Sequence, residues 1–211
     1  MLQKSKLFLL NLVVLATGEV MIDKRPVAEA WGPDAAIETC FENSPSLGSS
    51  LGATRRSDIA KLVDTNTITF NHYITSIRVC TQPTQTSSSL IQSVHLFLGI
   101  NGVEDIELDV IGFEYGRCEK KPITGAIREI GVLLLDDKKV HKLWLISENE
   151  NYSWGPASSK ETMPRLTREV IRFDDPVVRP LGFYGSWKFS GMTSLGVITF
   201  SENCIPKDGV F

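Results

Sequence analysis

From Tyr73 onward the chain alternates apolar and polar residues with a period of two. Ile77 and Val79 alternate with Ser76 and Arg78, Val94, Leu96 and Leu98 with His95 and Phe97, and Ile106, Leu108 and Val110 with Glu107 and Asp109. Side chains on a strand point to opposite faces in turn, so this pattern predicts strands with one face in a core and one toward water. Gly99-Ile100-Asn101-Gly102 between two of these runs predicts a hairpin connection. Ile127–Leu135 is more continuously apolar, Asp136-Asp137-Lys138-Lys139 is a polar turn, and His141–Ser147 is again a strand. Asn149–Pro156 reads as a loop, and Arg168–Asp174 as a further strand stopped by Asp174-Asp175-Pro176. Residues 19–70 are poorer in pattern, with Pro26, Pro33, Pro45, Gly48 and Gly52 marking turns. A short strand over Ala36–Phe41 and a short helix opened by Ser57-Asp58, with Ile59, Leu62 and Val63 at helical spacing, are expected there. Eight to ten short strands without long helical segments predict an all-β sandwich, barrel or prism.

The last two strands, Val178 to Phe200, hold the candidate chemistry. Gly182, Gly185, Gly191 and Gly196 punctuate them, and Tyr184, Trp187, Lys188 and Phe189 are expected in the loop between them. Aromatic faces beside exposed amides and a cation suit a polyhydroxylated ligand, because sugar C–H faces pack on rings while hydroxyls take hydrogen bonds. The expected ligand-binding set is Tyr184, Gly185, Ser186, Trp187, Lys188 and Phe189. Against it stands a packing role for Trp187 and Phe189 at the end of the sheet. Tyr152 and Trp154 pose the same choice between stacking a ligand and covering the sheet.

The N-terminus changes the compartment. Lys4 and Lys6 precede the apolar run Leu7–Ala16, followed by Thr17-Gly18, the pattern of a secretory signal peptide over 1–18. The protein is therefore expected to be secreted, with a turn-rich segment over 19–70 partly packed on the domain, an all-β domain over 71–205 and a tail over 206–211. No later stretch approaches the roughly 20 apolar residues that span a bilayer, so no membrane insertion is expected. Without the leader, 20 basic residues face 25 acidic ones and no basic block occurs, which excludes an electrostatic footprint for nucleic acid. In an oxidising compartment Cys40, Cys80, Cys118 and Cys204 predict two disulfides. Of three pairings the preferred one is Cys80 with Cys118 and Cys40 with Cys204, because each cysteine ends an apparent strand and the second bridge ties the ends of the domain. Asn151-Tyr152-Ser153 is a glycosylation sequon, which would put Asn151 on the surface.

Enzymatic motifs are missing. His72, His95 and His141 sit in no nucleophile motif and are expected to face solvent from strands, and no cysteine spacing matches a metal site. Asp136-Asp137 and Asp174-Asp175 border turns and read as solvated acids, and the lysine pairs 120–121 and 138–139 as solubilising charge. No cofactor or metal is expected.

Val140–Pro156, VHKLWLISENENYSWGP, and the later LGFYGSW and SLGVITF resemble the second half of a jacalin-type lectin domain. Tyr152, Gly155 and Pro156 stand for that family's Tyr-Gly-Pro segment, with Ser153 and Trp154 inserted, and Gly182-Phe183-Tyr184-Gly185 for its last turn. The resemblance implies a β-prism of three four-stranded sheets that binds carbohydrate at loops clustered at one end. Two departures stand out. No acid occurs from Leu181 to Ser201, and the place of the family's loop aspartate falls at Met192. The family's glycine-rich N-terminal loop has only Gly48 and Gly52 as candidates. The expectation is a secreted, non-catalytic binder of carbohydrate or glycoprotein, in which a homo-oligomer or clustered ligand supplies avidity. The alternative is an extracellular structural or protein-interaction module that has lost sugar binding.

Overall fold

The computed structural model describes residues 40–57, 72–83, 89–136, 138–156 and 166–201. The described residues form three antiparallel sheets. The first joins β1 (Phe41–Asn43), β14 (Gly191–Ser201), β13 (Val178–Lys188) and β3 (Ala53–Arg56), with β2 (Leu47–Gly48) also on β14. The second runs β11 (Asn151–Trp154), β10 (Lys139–Ser147), β9 (Ile127–Leu135), β12 (Leu166–Arg172). The third runs β6 (Val103–Glu107), β5 (Ile91–Ile100), β4 (Tyr73–Thr81), β8 (Arg117–Pro122), with β7 (Ile111–Gly112) on β5. Each sheet is thus a four-stranded path, and the two-residue β2 and β7 are the additions to the three four-stranded sheets expected.

The sheets share one core. Strand β10 touches β14 and β5, and β13 touches β4. Ile130, Val132 and Leu134 of β9, Leu143 and Leu145 of β10, Leu96 and Leu98 of β5, and Phe183 and Val197 of the final hairpin belong to a single buried cluster. Alternating apolar residues bring this about, since each sheet has one face to remove from water. The β5–β6 turn falls at Asn101-Gly102, both with positive φ (53° and 80°), the twist that a tight hairpin requires.

Four expectations need correction. Residues 151–154 are not loop: they form β11, paired with Leu143–Ile146 of β10, and Tyr152 and Trp154 are buried. The loop carrying Tyr184, Trp187 and Lys188 is strand, because β13 continues to Lys188 and only Phe189-Ser190 make the turn. The domain begins before residue 71, since β1, β2 and β3 lie in the sheet of the final hairpin. Strands of two to four residues are too short to display a period, which is why a turn-rich stretch conceals them. The helix expected after Ser57 lies outside the described residues; Ser57 itself exchanges hydrogen bonds, through its N–H and hydroxyl, with the backbone of Phe183. The strand expected over 36–41 is described only from Phe41, in β1.

The histidines are the fourth correction. His72, His95 and His141 are all buried. His95 is on the outer face of β5, but that face is covered: Arg78, which can only donate, lies 2.9 Å from His95 Nδ1, leaving the ring proton on Nε2, 3.2 Å from Glu107. The Phe97 ring lies tilted beside it with centroids 4.5 Å apart, and Lys120 covers Phe97 at 3.6 Å while bonded to Glu104. Lys120 is therefore packed, beyond the solubilising role expected of it. Burial, then the neighbouring Arg78, lowers the His95 pKa against the pull of Glu107; burial likewise lowers that of His141, whose Nδ1 is 2.9 Å from the Ser89 carbonyl. The folded protein prefers both rings neutral, whereas the unfolded chain takes up protons near pH 6.5. Their contribution is complete above about pH 6.5 and is lost as pH falls from there toward the lowered folded values. Thermal melts should therefore show Tm declining between pH 7.5 and 5.5, with a shallower slope in the His95→Gln, His141→Gln variant.

Cys80 and Cys118 face each other across β4 and β8 and are disulfide-bonded, as expected. Cys40 is also disulfide-bonded, and Cys204, its expected partner, lies outside the described residues. Asp136, Asp174 and Asp175 are exposed at turns, and Asn151 is exposed on β11.

Candidate functional site

The β13–β14 hairpin ends in Phe189-Ser190, and three other segments converge there. The side-chain amides of Gln82 and Gln92 both donate to the Ser190 carbonyl, at 2.9 and 3.3 Å. The segment 48–52 lies along the hairpin: Ser49 N–H donates to the Thr193 carbonyl at 2.9 Å, and Thr193 hydroxyl to the Leu51 carbonyl at 2.6 Å. Gly52 has φ 106°, and a Cβ there would stand 2.2 Å from the Trp187 carbonyl, so only glycine permits this approach. The third segment, 112–116, is held by the Phe113 N–H on the Gln92 carbonyl.

Among the described residues, four of the five exposed large apolar side chains, Leu51, Phe113, Tyr115 and Phe189, lie on these segments, the other being Val103. Phe189 is 95% exposed, and its ring centroid is 6.3 Å from that of Phe113. Soluble proteins rarely leave several aromatic rings exposed together unless something binds there. Lys188 adds a cation with no ion pair among the described residues. Glu114, the acid closest in sequence to these rings, is engaged by Arg78.

The expected ligand set divides across the strand. Lys188 and Phe189 are exposed at the tip, and Trp187 is half-buried against the core. Tyr184 is a structural pin: its ring lies over Gly196, its hydroxyl donates to the Ser44 carbonyl, and burial raises its pKa, keeping it a neutral donor. Gly185 is paired on both sides, with Leu195 and Arg55. Ser186 is buried, its N–H on Ser194 Oγ at 3.1 Å and its hydroxyl 2.9 and 2.7 Å from those of Thr193 and Ser194. These polar groups satisfy one another beneath the tip and hold it in shape. Leu51, Phe113 and Tyr115 were not foreseen. The signal was present: Gly112-Phe113-Glu114-Tyr115-Gly116 has the same glycine-bracketed aromatics that single out the final hairpin.

The tip offers an aromatic ledge, a cation and amide groups at its rim. No three His, Cys, Asp or Glu side chains among the described residues are grouped to hold a metal ion.

No family model and no curated protein matches this chain. Solved structures do match. Malaysian banana lectin aligns at a TM-score of 0.51 and 13% identity, over 76% of this chain and 99% of the lectin. A single-chain recombinant jacalin aligns at 0.51 and 12%, over 76% and 94%, and a mannose-binding jacalin-related lectin from Ananas comosus at 0.52 and 16%, over 76% and 98%. At such identity the likeness concerns fold.

Proposed function

The fold is the jacalin-type β-prism, carried by a strongly divergent sequence, and we propose that this protein is a secreted, non-catalytic carbohydrate-binding protein. The observation that carries the proposal is the exposed Phe189 on the hairpin tip with the exposed Phe113 of the 112–116 segment beside it, in a fold whose solved neighbours are lectins. A pyranose ring rests its C–H face on Phe189 and Phe113, while Lys188 and the rim amides take hydroxyls. The leader pattern, the Cys80–Cys118 disulfide and the exposed Asn151 sequon support an extracellular glycoprotein. A shallow single site binds weakly, so avidity comes from a homo-oligomer or from clustered glycan.

Glycan-array binding of the secreted chain, compared with the Phe113→Ser, Phe189→Ser variant, tests this. Two lost stacking contacts should weaken binding roughly tenfold, with Tm unchanged because both rings are exposed. No binding by the folded wild-type protein across a broad array would overturn the reading. A second reading, a protein-interaction module, draws on a specific observation: Ser186, Thr193 and Ser194 hydrogen-bond one another, and no acid lies between Leu181 and Ser201 to receive sugar hydroxyls. Capture of a protein partner that no sugar displaces would favour it.

A further inference from the structure

The two rings of the hairpin tip belong to segments far apart in the chain, Phe113 just after β7 and Phe189 in the turn between β13 and β14. Phe113 is 51% and Phe189 95% exposed, so the backbone beneath them does most to set their spacing. The last ladder pair of the hairpin, Lys188 with Gly191, lies beyond β3, which pairs only as far as Trp187, and beyond β2, which pairs only as far as Ser194. A two-stranded end twists more freely than the middle of a sheet. Something else must hold it.

Gln92 does so. It belongs to β5, in a different sheet from the hairpin, and is 2% exposed. Its backbone carbonyl accepts the Phe113 N–H at 3.0 Å, and its side-chain amide donates to the Ser190 carbonyl at 3.3 Å, one residue from Phe189. One buried residue thus touches both segments that carry a ring. Gln82, which follows β4, places a second amide donor on the same carbonyl at 2.9 Å, and its own N–H is tied to the Leu90 carbonyl at 3.0 Å. A carbonyl oxygen has two lone pairs, so it accommodates both donors. Gly191, with φ 135°, lets the hairpin lie this close, since a Cβ there would stand 3.0 Å from the Ile91 carbonyl. Burying a primary amide is unfavourable unless it is bonded. The bond that Gln92 makes goes to the turn that carries Phe189.

We propose that Gln92, seconded by Gln82, is a positioning residue for the tip: the two amides clasp the Ser190 carbonyl and hold Phe189 at its 6.3 Å spacing from Phe113, so that the ledge is formed before a ligand arrives. The use of the ledge rests on the carbohydrate reading; its shape rests on the hydrogen bonds alone. A preformed ledge binds more tightly because the ligand does not have to order it.

The test measures shape and affinity separately on the full secreted chain. A nuclear Overhauser effect between the Phe113 and Phe189 rings, observed with labelled phenylalanine, reports the spacing without any ligand. Gln92→Met keeps the side-chain length and removes the amide; it should weaken this signal with Tm nearly unchanged, and the Gln82→Met, Gln92→Met variant should abolish it. Glycan-array titrations should show affinity about fivefold lower in Gln92→Met, the scale of one neutral hydrogen bond, and lower still in the double variant. Gln82→Met alone, at a half-buried position, carries the same test if Gln92→Met does not fold. An inter-ring signal absent from the wild type, a signal that survives the double variant, or glycan affinity unchanged in a variant that has lost it would each overturn the proposal. A wild-type chain that shows the signal, loses it in the double variant and binds no glycan would overturn the carbohydrate reading and leave the clasp standing.

Discussion

Replacing Trp154 with alanine lowers the unfolding free energy by about 3–5 kcal/mol, the cost of removing a fully packed large aromatic. Trp154 is 2% exposed, stacks on Tyr152 with ring centroids 6.3 Å apart, and faces Leu143 across the β10–β11 ladder. Lys121 closes the outside, its Nζ 5.2 Å from the Trp154 ring and bonded to the Ser153 carbonyl at 3.1 Å. Denaturant unfolding measures the loss, and Tm should drop by roughly 10 °C. Trp154→Phe should cost less than the alanine change, because it keeps most of the ring contact and removes an indole N–H that has no partner among the described residues. Glycan binding by Trp154→Phe should match wild type. Loss of binding with stability intact would restore Trp154 as a ligand residue. The sequence left that choice open; burial decides it for packing.

Glu129→Ala is the second large effect, at about 3 kcal/mol. The carboxylate side chain is 11% exposed and accepts from the Trp144 indole at 2.8 Å, Arg168 at 3.1 Å and Arg172 at 3.3 Å. These residues come from β9, β10 and β12, so one acid ties three strands across the outer face of the second sheet. Removing it strands an indole donor and leaves two arginines side by side. Both arginines are mostly exposed, and water screens their share, which sets the value at the low end for a broken buried pair. Burial pushes the Glu129 pKa up, but Trp144, Arg172 and Arg168 together hold it below the ordinary value. The resulting stabilisation is complete above the unfolded carboxylate value, about pH 4.3, and is lost as pH falls through the lower folded value. Glu129→Gln should keep much of the geometry and flatten this acid limb in urea titrations at pH 5 and pH 3. An unchanged acid limb would show that the carboxylate contributes nothing as an ion.

The long strands were legible because each carries enough residues to display its period. Ile77/Val79 and Val94/Leu96/Leu98 place their apolar faces in the core as the alternation predicts. Period two does not say what covers the other face. Ser93 and His95 lie on the outer side of β5 and are nevertheless buried, under Arg78, Glu107 and their neighbours, which come from adjacent strands. The short strands β1, β2, β3, β7 and β11 have no readable period, and they form because longer partners offer an edge. The hairpin tip was found in part: Lys188 and Phe189 follow from composition, but sheet pairing and packing on the core take Tyr184, Gly185, Ser186 and much of Trp187 away from solvent.

By itself the sequence determined an all-β chain with disulfide-forming cysteines and a glycine- and aromatic-rich final hairpin, because these follow from local periodicity, cysteine count and composition; the Cys80–Cys118 pairing was one preference among three until the structure placed the two strands side by side. The tertiary structure decided the rest. It joined residues 41–56 to the last hairpin, buried the histidines and Trp154, and brought Phe113 beside Phe189. All of these are contacts between segments far apart in the chain, and they exist only once three sheets close around one core.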